Sequence, residues 1–231
     1  MSCVSVFEEN PDNVSELLNK MDEFEQFLIE NDKESFLPFL RAYMTITEKV
    51  QNRIESFNSP EALEELDLEF GELYFDAMEA YFTEGEKRQP WRTYLNYVER
   101  EDSRPLLELL LGINAHINAD LSILIDEMDY REEQDFQKVN RILLEALYPV
   151  ILDTAVTRKD AESLAFIGSG PLPFIGLKKI IKWRQNAWDS KNKDKNEVLR
   201  STERKASNLI SLRHDKSLKG FLEKPSKILE A

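Results

Sequence analysis

The sequence predicts an all-α protein, a single-domain helical bundle of about seven helices around a central buried helix. Apolar residues recur at helical spacing over long segments, and the short alternations that indicate strands are rare. Glycine is scarce, with 7 residues in 231, so few positions interrupt the helices. A chain of this length buries about 70% of its unfolded surface, which is enough for a hydrophobic core.

Four helices are predicted in the first hundred residues. The first follows Asp12 and carries an apolar stripe on one side. Ser35 is a typical N-cap residue for the second. Ser59-Pro60 combines a cap residue with the proline that favours a first helical turn, and Pro90-Trp91 opens a short fourth helix. The predicted spans are approximately 13–28, 36–56, 60–83 and 90–100.

The second half of the chain contains its most apolar helix. This helix starts at Ser103-Arg104-Pro105, and the next one carries Pro149 near its end, where we expect a perturbation. The segment from Gly168 to Pro173 is rich in glycine and proline and is predicted to be non-helical. The predicted spans are approximately 105–125, 133–153, 174–190 and 197–212.

The charge is distributed unevenly along the chain. Residues 176–231 hold 15 Lys/Arg and 7 Asp/Glu, whereas the whole chain has a net charge of −14. We therefore divide the sequence into a helical domain, 1–190, and a basic, weakly helical extension, 191–231. The extension could fold back on the acidic body, contact an anionic partner, or serve solubility alone.

Composition also excludes several classes of function. The acidic body argues against nucleic acid as a partner, because phosphate binding requires a basic field. The single cysteine, Cys3, permits no intrachain disulfide, and neither a leader-like segment nor eighteen consecutive apolar residues are found. We expect a soluble, cytoplasmic protein without a membrane span, and its oligomeric state stays open.

Polar residues interrupt the most apolar helix at four-residue intervals. At 100° per residue, His116 and Asp120 fall inside the apolar arc and face the core. Asn114 and Asn118 form a second pair on the flank of that arc. A small-residue strip that includes Gly112 would allow another helix to approach closely.

Two other helices carry polar residues within their apolar stripes. Asn140 and Arg184 each share an arc with large apolar side chains. Buried polar groups cost several kcal/mol unless they find partners, so we expect these groups to meet. In that arrangement Arg184 neutralises Asp120.

The cluster admits three interpretations. It could only fix helix register, or His116 could be a general acid or base whose tautomer Asp120 holds, in a pocket floored by Trp188 and Phe136. His116 and Asp120 could also supply two metal ligands, but no further core-facing histidine supports a metal centre. No cofactor and no metal site are predicted. Nucleophilic triads lack a sequence signature in this chain.

These positions also carry a resemblance to a known family. The stretch Leu111 to Leu121 resembles the Leu-Gly-x-Asn-Ala-His-Ile-Asn-x-Asp-Leu motif of an uncharacterised bacterial family, mainly actinobacterial. Flanking patterns extend the resemblance over roughly residues 60–190. The family is one of unknown function, so the resemblance implies no reaction. It does imply the same residues, namely Asn114, His116, Asn118, Asp120, Asn140, Arg184 and Trp188.

The sequence therefore predicts a protein that acts on a small, partly apolar molecule. The predicted catalytic residues are His116, Asp120 and Arg184. The predicted substrate-binding residues are Asn114, Asn118, Asn140 and Trp188. The alternative is a non-catalytic binding or structural protein whose polar network sets helix register.

Overall fold

The described part of the chain forms eight helices joined by turns. The computed structural model describes the backbone of residues 6–8, 10–159 and 172–214 and, in the last of these ranges, the side chains of 177–211. No strand occurs in this part of the chain, so the all-α prediction is confirmed. The helices are α1 (Val14–Glu30), α2 (Leu37–Gln51), α3 (Pro60–Glu79), α4 (Arg92–Val98), α5 (Pro105–Glu127), α6 (Glu133–Thr157), α7 (Leu172–Trp188) and α8 (Lys195–His214).

Helix α5 is the centre of the bundle. It packs against α2, α3, α4, α6, α7 and α8, while α1 packs on α2 and α3. Every residue from 111 to 122 is buried. Within the described ranges, α5 is the helix long and apolar enough to cross a membrane by length and composition, and 89% of its most apolar stretch is buried inside the fold. Its apolar composition therefore serves the core, and the prediction of a central buried helix is confirmed.

Two serines that the sequence suggested as helix caps have other partners. Ser35 lies in a 3₁₀ turn and its hydroxyl donates to the carbonyl of Val98 at 2.8 Å. The Ser59 hydroxyl donates to a carboxylate oxygen of Glu132 at 2.9 Å. Both hydroxyls join distant parts of the chain, an arrangement that local sequence does not encode. Helix α2 accordingly starts after the turn and ends at Gln51, earlier than predicted.

Proline positions also differ from expectation. Helix α6 continues through Pro149 to Thr157, so this proline does not end the helix. Residues 160–171 lie outside the described part of the chain. The prediction that 168–173 is non-helical is wrong at its end, because Leu172 and Pro173 form the start of α7. Proline is tolerated there because the first turn leaves its N–H position without a helical partner.

One turn of α5 is wider than an α-helical turn. Residues His116–Leu121 adopt π-helical geometry between two α-helical stretches. Such turns are rare and occur frequently at functional sites. In α5 the wide turn contains three of the four polar residues that the sequence singled out, namely His116, Asn118 and Asp120.

Helix α8 folds back on the body of the protein. Its buried residues Val198, Ala206 and Leu209 face the bundle, where α8 packs against α4 and α5. Lys195 forms an ion pair with Glu127 at 2.8 Å. The basic stretch that the structure describes is therefore packed against the acidic body.

Candidate functional site: a histidine cavity beside the central helix

The histidine and aspartate of α5 are hydrogen-bonded to each other. Nδ1 of His116 lies 3.2 Å from Oδ2 of Asp120, and both residues are buried. The indole Nε1 of Trp91 donates to the same carboxyl oxygen at 2.9 Å. Trp91 immediately precedes α4, so the packing of α4 on α5 fixes the orientation of Asp120 and, through it, of the imidazole.

Burial keeps both members of this pair neutral. It raises the pKa of Asp120 to about 8, although the hydrogen bond from Trp91 acts in the opposite direction. Burial also lowers the pKa of His116 well below its ordinary value, and the positive charge of Arg184 adds to this effect. At neutral pH the contact is therefore a hydrogen bond between neutral groups and not an ion pair.

Aromatic rings enclose the imidazole. Phe70 of α3 stacks on it, with ring centroids 3.4 Å apart and an interplanar angle of 6°. Tyr43 of α2 meets it edge-on at 4.5 Å. Nε2 of His116 is buried and has no hydrogen-bond partner among the described residues. A buried nitrogen without a partner is uncommon and points to a ligand, a water or a catalytic role.

A cavity of about 60 Å³ lies beside this histidine. Since one water takes about 30 Å³ in the liquid, the space corresponds to about two water molecules. Most of the lining is apolar and comes from α2, α3, α5 and α6. The polar side chains in the lining are Tyr43, Thr47, Asp67, His116 and Arg184.

Arg184 reaches the cavity from α7. Its Nε donates to Oδ1 of Asn140 at 3.1 Å, its Nη2 donates to the carbonyl of Phe136 at 3.3 Å, and its guanidinium lies 4.2 Å from the Phe136 ring centroid. The expected ion pair with Asp120 is not formed in the described structure. The nearby carboxyl group that offsets the burial of the guanidinium is that of Asp67.

Asp67 is a site residue that the sequence reasoning missed. The residue is half-buried, and its burial raises the pKa of the carboxyl group to about 7. Arg184 lowers that pKa and Glu64 raises it further. A signal was present, because Asp67 lies four residues after Leu63 and three before Phe70 on the core stripe of α3.

A second polar group lies around Asn118. Asn118 donates to Asn114 at 3.2 Å, and Asn114 donates to the carbonyl of Thr202 at 3.1 Å. Lys205 donates to Oδ1 of Asn118, and burial lowers the pKa of this lysine to about 8. The two asparagines therefore connect α5 to α8 and do not line the His116 cavity.

The predicted site residues thus separate into groups. His116 and Arg184 both line the cavity. Asp120 is hydrogen-bonded to His116 and Asn140 to Arg184, and neither of these two residues lines the cavity. Trp188 is half-buried and packs on Phe136 at 4.9 Å, and neither of these two rings lines the cavity. The expected floor of Trp188 and Phe136 is instead made by other aromatic residues.

Those aromatic residues, Tyr43 and Phe70, were predicted only as core positions. Their helical spacing is the same as that of any buried residue, so periodicity could not distinguish them. The sequence predicts Trp91 only as a residue that, with Pro90, opens the short fourth helix. Its indole N–H was the available signal, since a buried tryptophan usually finds a hydrogen-bond acceptor.

A metal centre finds no support in the described residues. No three His, Cys, Asp or Glu side chains of residues 6–8, 10–159 and 172–214 come together as a group that could hold a metal ion.

Fold and site together define an all-α protein with a buried histidine–aspartate pair beside a small cavity. The chain belongs to a family of unknown function, DUF5995, whose model matches residues 14–218. The match begins at the first residue of α1 and extends beyond α8, so it includes all eight helices. Comparisons with curated proteins and with solved structures gave no match.

Proposed function

We propose that the protein is an enzyme that binds a small, partly apolar molecule in the His116 cavity and transfers a proton through His116. The observation that carries this proposal is the Nε2 atom of His116, which is buried without a partner in a residue that lines the cavity. The apolar part of the lining favours a molecule with a hydrocarbon portion.

Asp120 sets the state of the imidazole in this proposal. We assign the imidazole proton to Nδ1, so that Oδ2 of Asp120 accepts it and the lone pair is on Nε2. The hydrogen bond from Trp91 holds the carboxyl group in place. Because burial lowers the pKa of His116, the imidazole is unprotonated at neutral pH and acts as a base. The imidazolium formed by proton transfer is unstable in this environment and returns its proton to the bound molecule.

Arg184 and Asn140 have a supporting place in this mechanism. Arg184 lines the cavity and places a positive charge near the bound molecule, while Asn140 acts through the guanidinium that it holds. Asn114, Asn118 and Trp188 lie outside the lining, and the proposal gives them no contact with the bound molecule.

One observation favours the alternative, a non-catalytic role in helix register. His116 is only 3% exposed and stacks closely on Phe70, as expected of a packed core residue. Its bond to Asp120 and that of Trp91 to Asp120 also join α4 to α5. Under this alternative the cavity holds only water.

A thermal-shift screen with a small-molecule library tests the proposal. The parent is compared with His116→Gln, which removes the imidazole, and with Ser122→Ala, a buried control on the same helix outside the cavity lining. We expect compounds that stabilise the parent and Ser122→Ala but not His116→Gln. Compounds that stabilise all three proteins equally, or none that stabilises the parent, would favour the register alternative.

We also propose a bacterial, soluble and cytoplasmic setting without nucleic acid as a ligand. The resemblance of Leu111–Leu121 to the bacterial motif supports the first part. The single cysteine in 231 residues fits a reducing compartment, and the net charge of −14 disfavours phosphate backbones. Fractionation of native cells with a specific antibody tests the location, and recovery in the membrane fraction would contradict it.

A further inference from the structure

We propose that the molecule bound in the His116 cavity is a short monocarboxylate whose carboxylate group is held by Arg184 and the hydroxyl of Tyr43. This inference rests on the proposed function and names its substrate class. It depends on the polar groups of the cavity that the protein itself leaves without partners.

Arg184 is a buried cation with unused hydrogen-bonding capacity. The residue is 7% exposed, and its hydrogen bonds within the described residues come from Nε and Nη2. Nη1 makes none, and no carboxylate of the described residues lies within ion-pair distance. A buried charge is costly unless it is paired. A carboxylate is the group whose geometry best matches a guanidinium, so an anionic ligand would supply a partner at hydrogen-bond distance, which Asp67 does not.

Tyr43 provides a second donor in the same cavity. Its hydroxyl is buried and has no hydrogen-bond partner among the described residues, and the residue lines the cavity together with Arg184. A phenolic hydroxyl donates readily to a carboxylate oxygen. The residues that line the cavity therefore carry two donors suited to an anion, on Arg184 and Tyr43, and one base, on His116.

The two carboxyl groups near the cavity are the main obstacle to an anion. Burial raises the pKa of Asp67 to about 7 and that of Asp120 to about 8, so both are largely protonated in slightly acidic solution. The pKa of Arg184 is lowered to about 10, and the guanidinium therefore keeps its charge. At pH 6 and below the cavity thus has a positive charge, and Asp67 is mostly protonated.

The size of the cavity limits the length of the carboxylate. A volume of about 60 Å³ equals that of about two waters at about 30 Å³ each, so the cavity favours the smallest carboxylates. Acetate is the best fit in size, and propionate and butyrate test the upper limit. The apolar side chains of Phe39, Ile113 and Leu143 in the lining would contact the hydrocarbon end.

Binding of an anion should be coupled to proton uptake by Asp67. Its electrostatic surroundings come from α2, α3, α5, α7 and the α5–α6 connection. The titratable or charged groups in these surroundings are Tyr43, Glu64, His116, Asp120, Tyr130 and Arg184. Since ionised Asp67 competes for Arg184, we expect the carboxylate affinity to fall about tenfold from pH 6 to pH 8.

Calorimetric titration with acetate, propionate and butyrate tests the inference. Acetamide and propionamide serve as neutral analogues of the same size as acetate and propionate. The ionic strength is held constant in all titrations. We expect the parent at pH 6 to bind a carboxylate at least tenfold more tightly than its amide. Asp67→Asn should bind at pH 8 as the parent does at pH 6. Tyr43→Phe should weaken binding at least threefold, whereas Glu65→Gln, an exposed change on the same helix, should have no effect.

Arg184→Lys tests the guanidinium directly and should weaken carboxylate binding. If this variant does not fold, Tyr43→Phe and Asp67→Asn still test the proposal. Equal affinity for amides and carboxylates would overturn the substrate class. So would carboxylate binding that neither Tyr43→Phe nor Asp67→Asn changes. If no carboxylate binds but the library yields compounds that depend on His116, the class is wrong while the proposed function stands. If neither a carboxylate nor any library compound binds, both the substrate class and the proposed function are wrong.

Discussion

The chemistry of individual residues in this protein is governed by burial. His116 and Asp120 lie next to each other in the core, yet their pKa values move in the directions that remove charge from both. In an exposed pair of this kind the aspartate would be ionised at neutral pH and the histidine partly protonated. The low polarity of the surroundings therefore decides what this pair can do.

The first prediction concerns Asp120 and the pH dependence of stability. Its pKa is about 8 in the folded protein and close to its ordinary value of 3.8 in the unfolded chain. The stabilisation by the protonated carboxyl is fully present below pH 4 and is lost as the pH rises through 8. Between pH 4 and pH 8 the unfolded chain has released this proton, whereas the folded protein still holds it. The stability of the parent relative to Asp120→Asn should therefore fall by about 1.4 kcal/mol per pH unit between pH 5 and pH 7.

Urea denaturation of both proteins at pH 5, 6 and 7 measures this difference. Asp126→Asn, an exposed change on the same helix, is the control and should show the pH dependence of the parent. A constant difference between the parent and Asp120→Asn across the three pH values would contradict the assigned direction of the pKa.

Sequence reasoning could identify part of this site at the level of residues. A period of 100° per residue sufficed to place His116 and Asp120 on one face, and the structure shows their hydrogen bond. The same reasoning could not decide that Arg184 faces Asp67, since that depends on how α7 crosses α3. Distances between helices are set by packing and not by spacing within one helix.

At the level of elements, α5 and α2 approach each other closely at a glycine. A Cβ atom built on Gly112 would lie 2.5 Å from Cγ and 2.7 Å from Cβ of Phe39. A Cβ on Gly71 of α3 would lie 2.5 Å from Cδ2 of Leu17. The first contact is with the stem of an aromatic side chain near its backbone, whereas the second is with the flexible end of a leucine.

The second prediction compares these two glycines. Alanine favours a helix by about 1 kcal/mol over glycine, but overpacking a core typically costs about 1–3 kcal/mol. Gly112→Ala should therefore destabilise the protein by up to about 2 kcal/mol, because Phe39 cannot move without disturbing the His116 cavity. Gly71→Ala should be nearly neutral, because Leu17 can change its rotamer. Denaturant unfolding of both variants gives the comparison, and equal effects would count against it.

The positions of the helices could largely be predicted from the sequence, but the π-helical and 3₁₀ turns could not. Apolar periodicity gave all eight helices, with bounds that differ from the observed ones by several residues at α2 and α6. The π-helical turn at His116–Leu121 leaves no mark in a periodicity count. The 3₁₀ turns at Glu34–Phe36 and Ile54–Ser56 likewise follow from tertiary contacts.

For the whole molecule, the relation of α8 to the bundle is the main question. The sequence suggested an extension beginning at residue 191, and its basic composition gave the reason. In the structure, α8 contributes Val198, Ala206 and Leu209 to buried surface and hydrogen-bonds Asn114 through the carbonyl of Thr202. The basic residues of α8 determine the charge of the segment, but they do not show which of its apolar residues pack against the bundle.

The third prediction is that the bundle requires α8. A chain ending at Ser190 should lose more than about 3 kcal/mol of stability, because two large apolar side chains worth about 1.5–3 kcal/mol each lose their burial. A chain ending at His214 is the control, because it retains α8 as described. Thermal and urea unfolding measure both. Parent-like stability of the chain ending at Ser190 would instead support a separate extension.

The position of the polar cluster within α5 has a consequence during synthesis. As the chain emerges from the ribosome, Pro105–Glu127 is a linear stretch of 23 residues with the length and apolarity of a membrane anchor. His116 lies at its midpoint, and an aspartate near the middle of such a stretch opposes bilayer insertion by about 2.5–3.5 kcal/mol. Asp120 therefore disfavours insertion of the nascent segment into a bilayer before the other helices cover it.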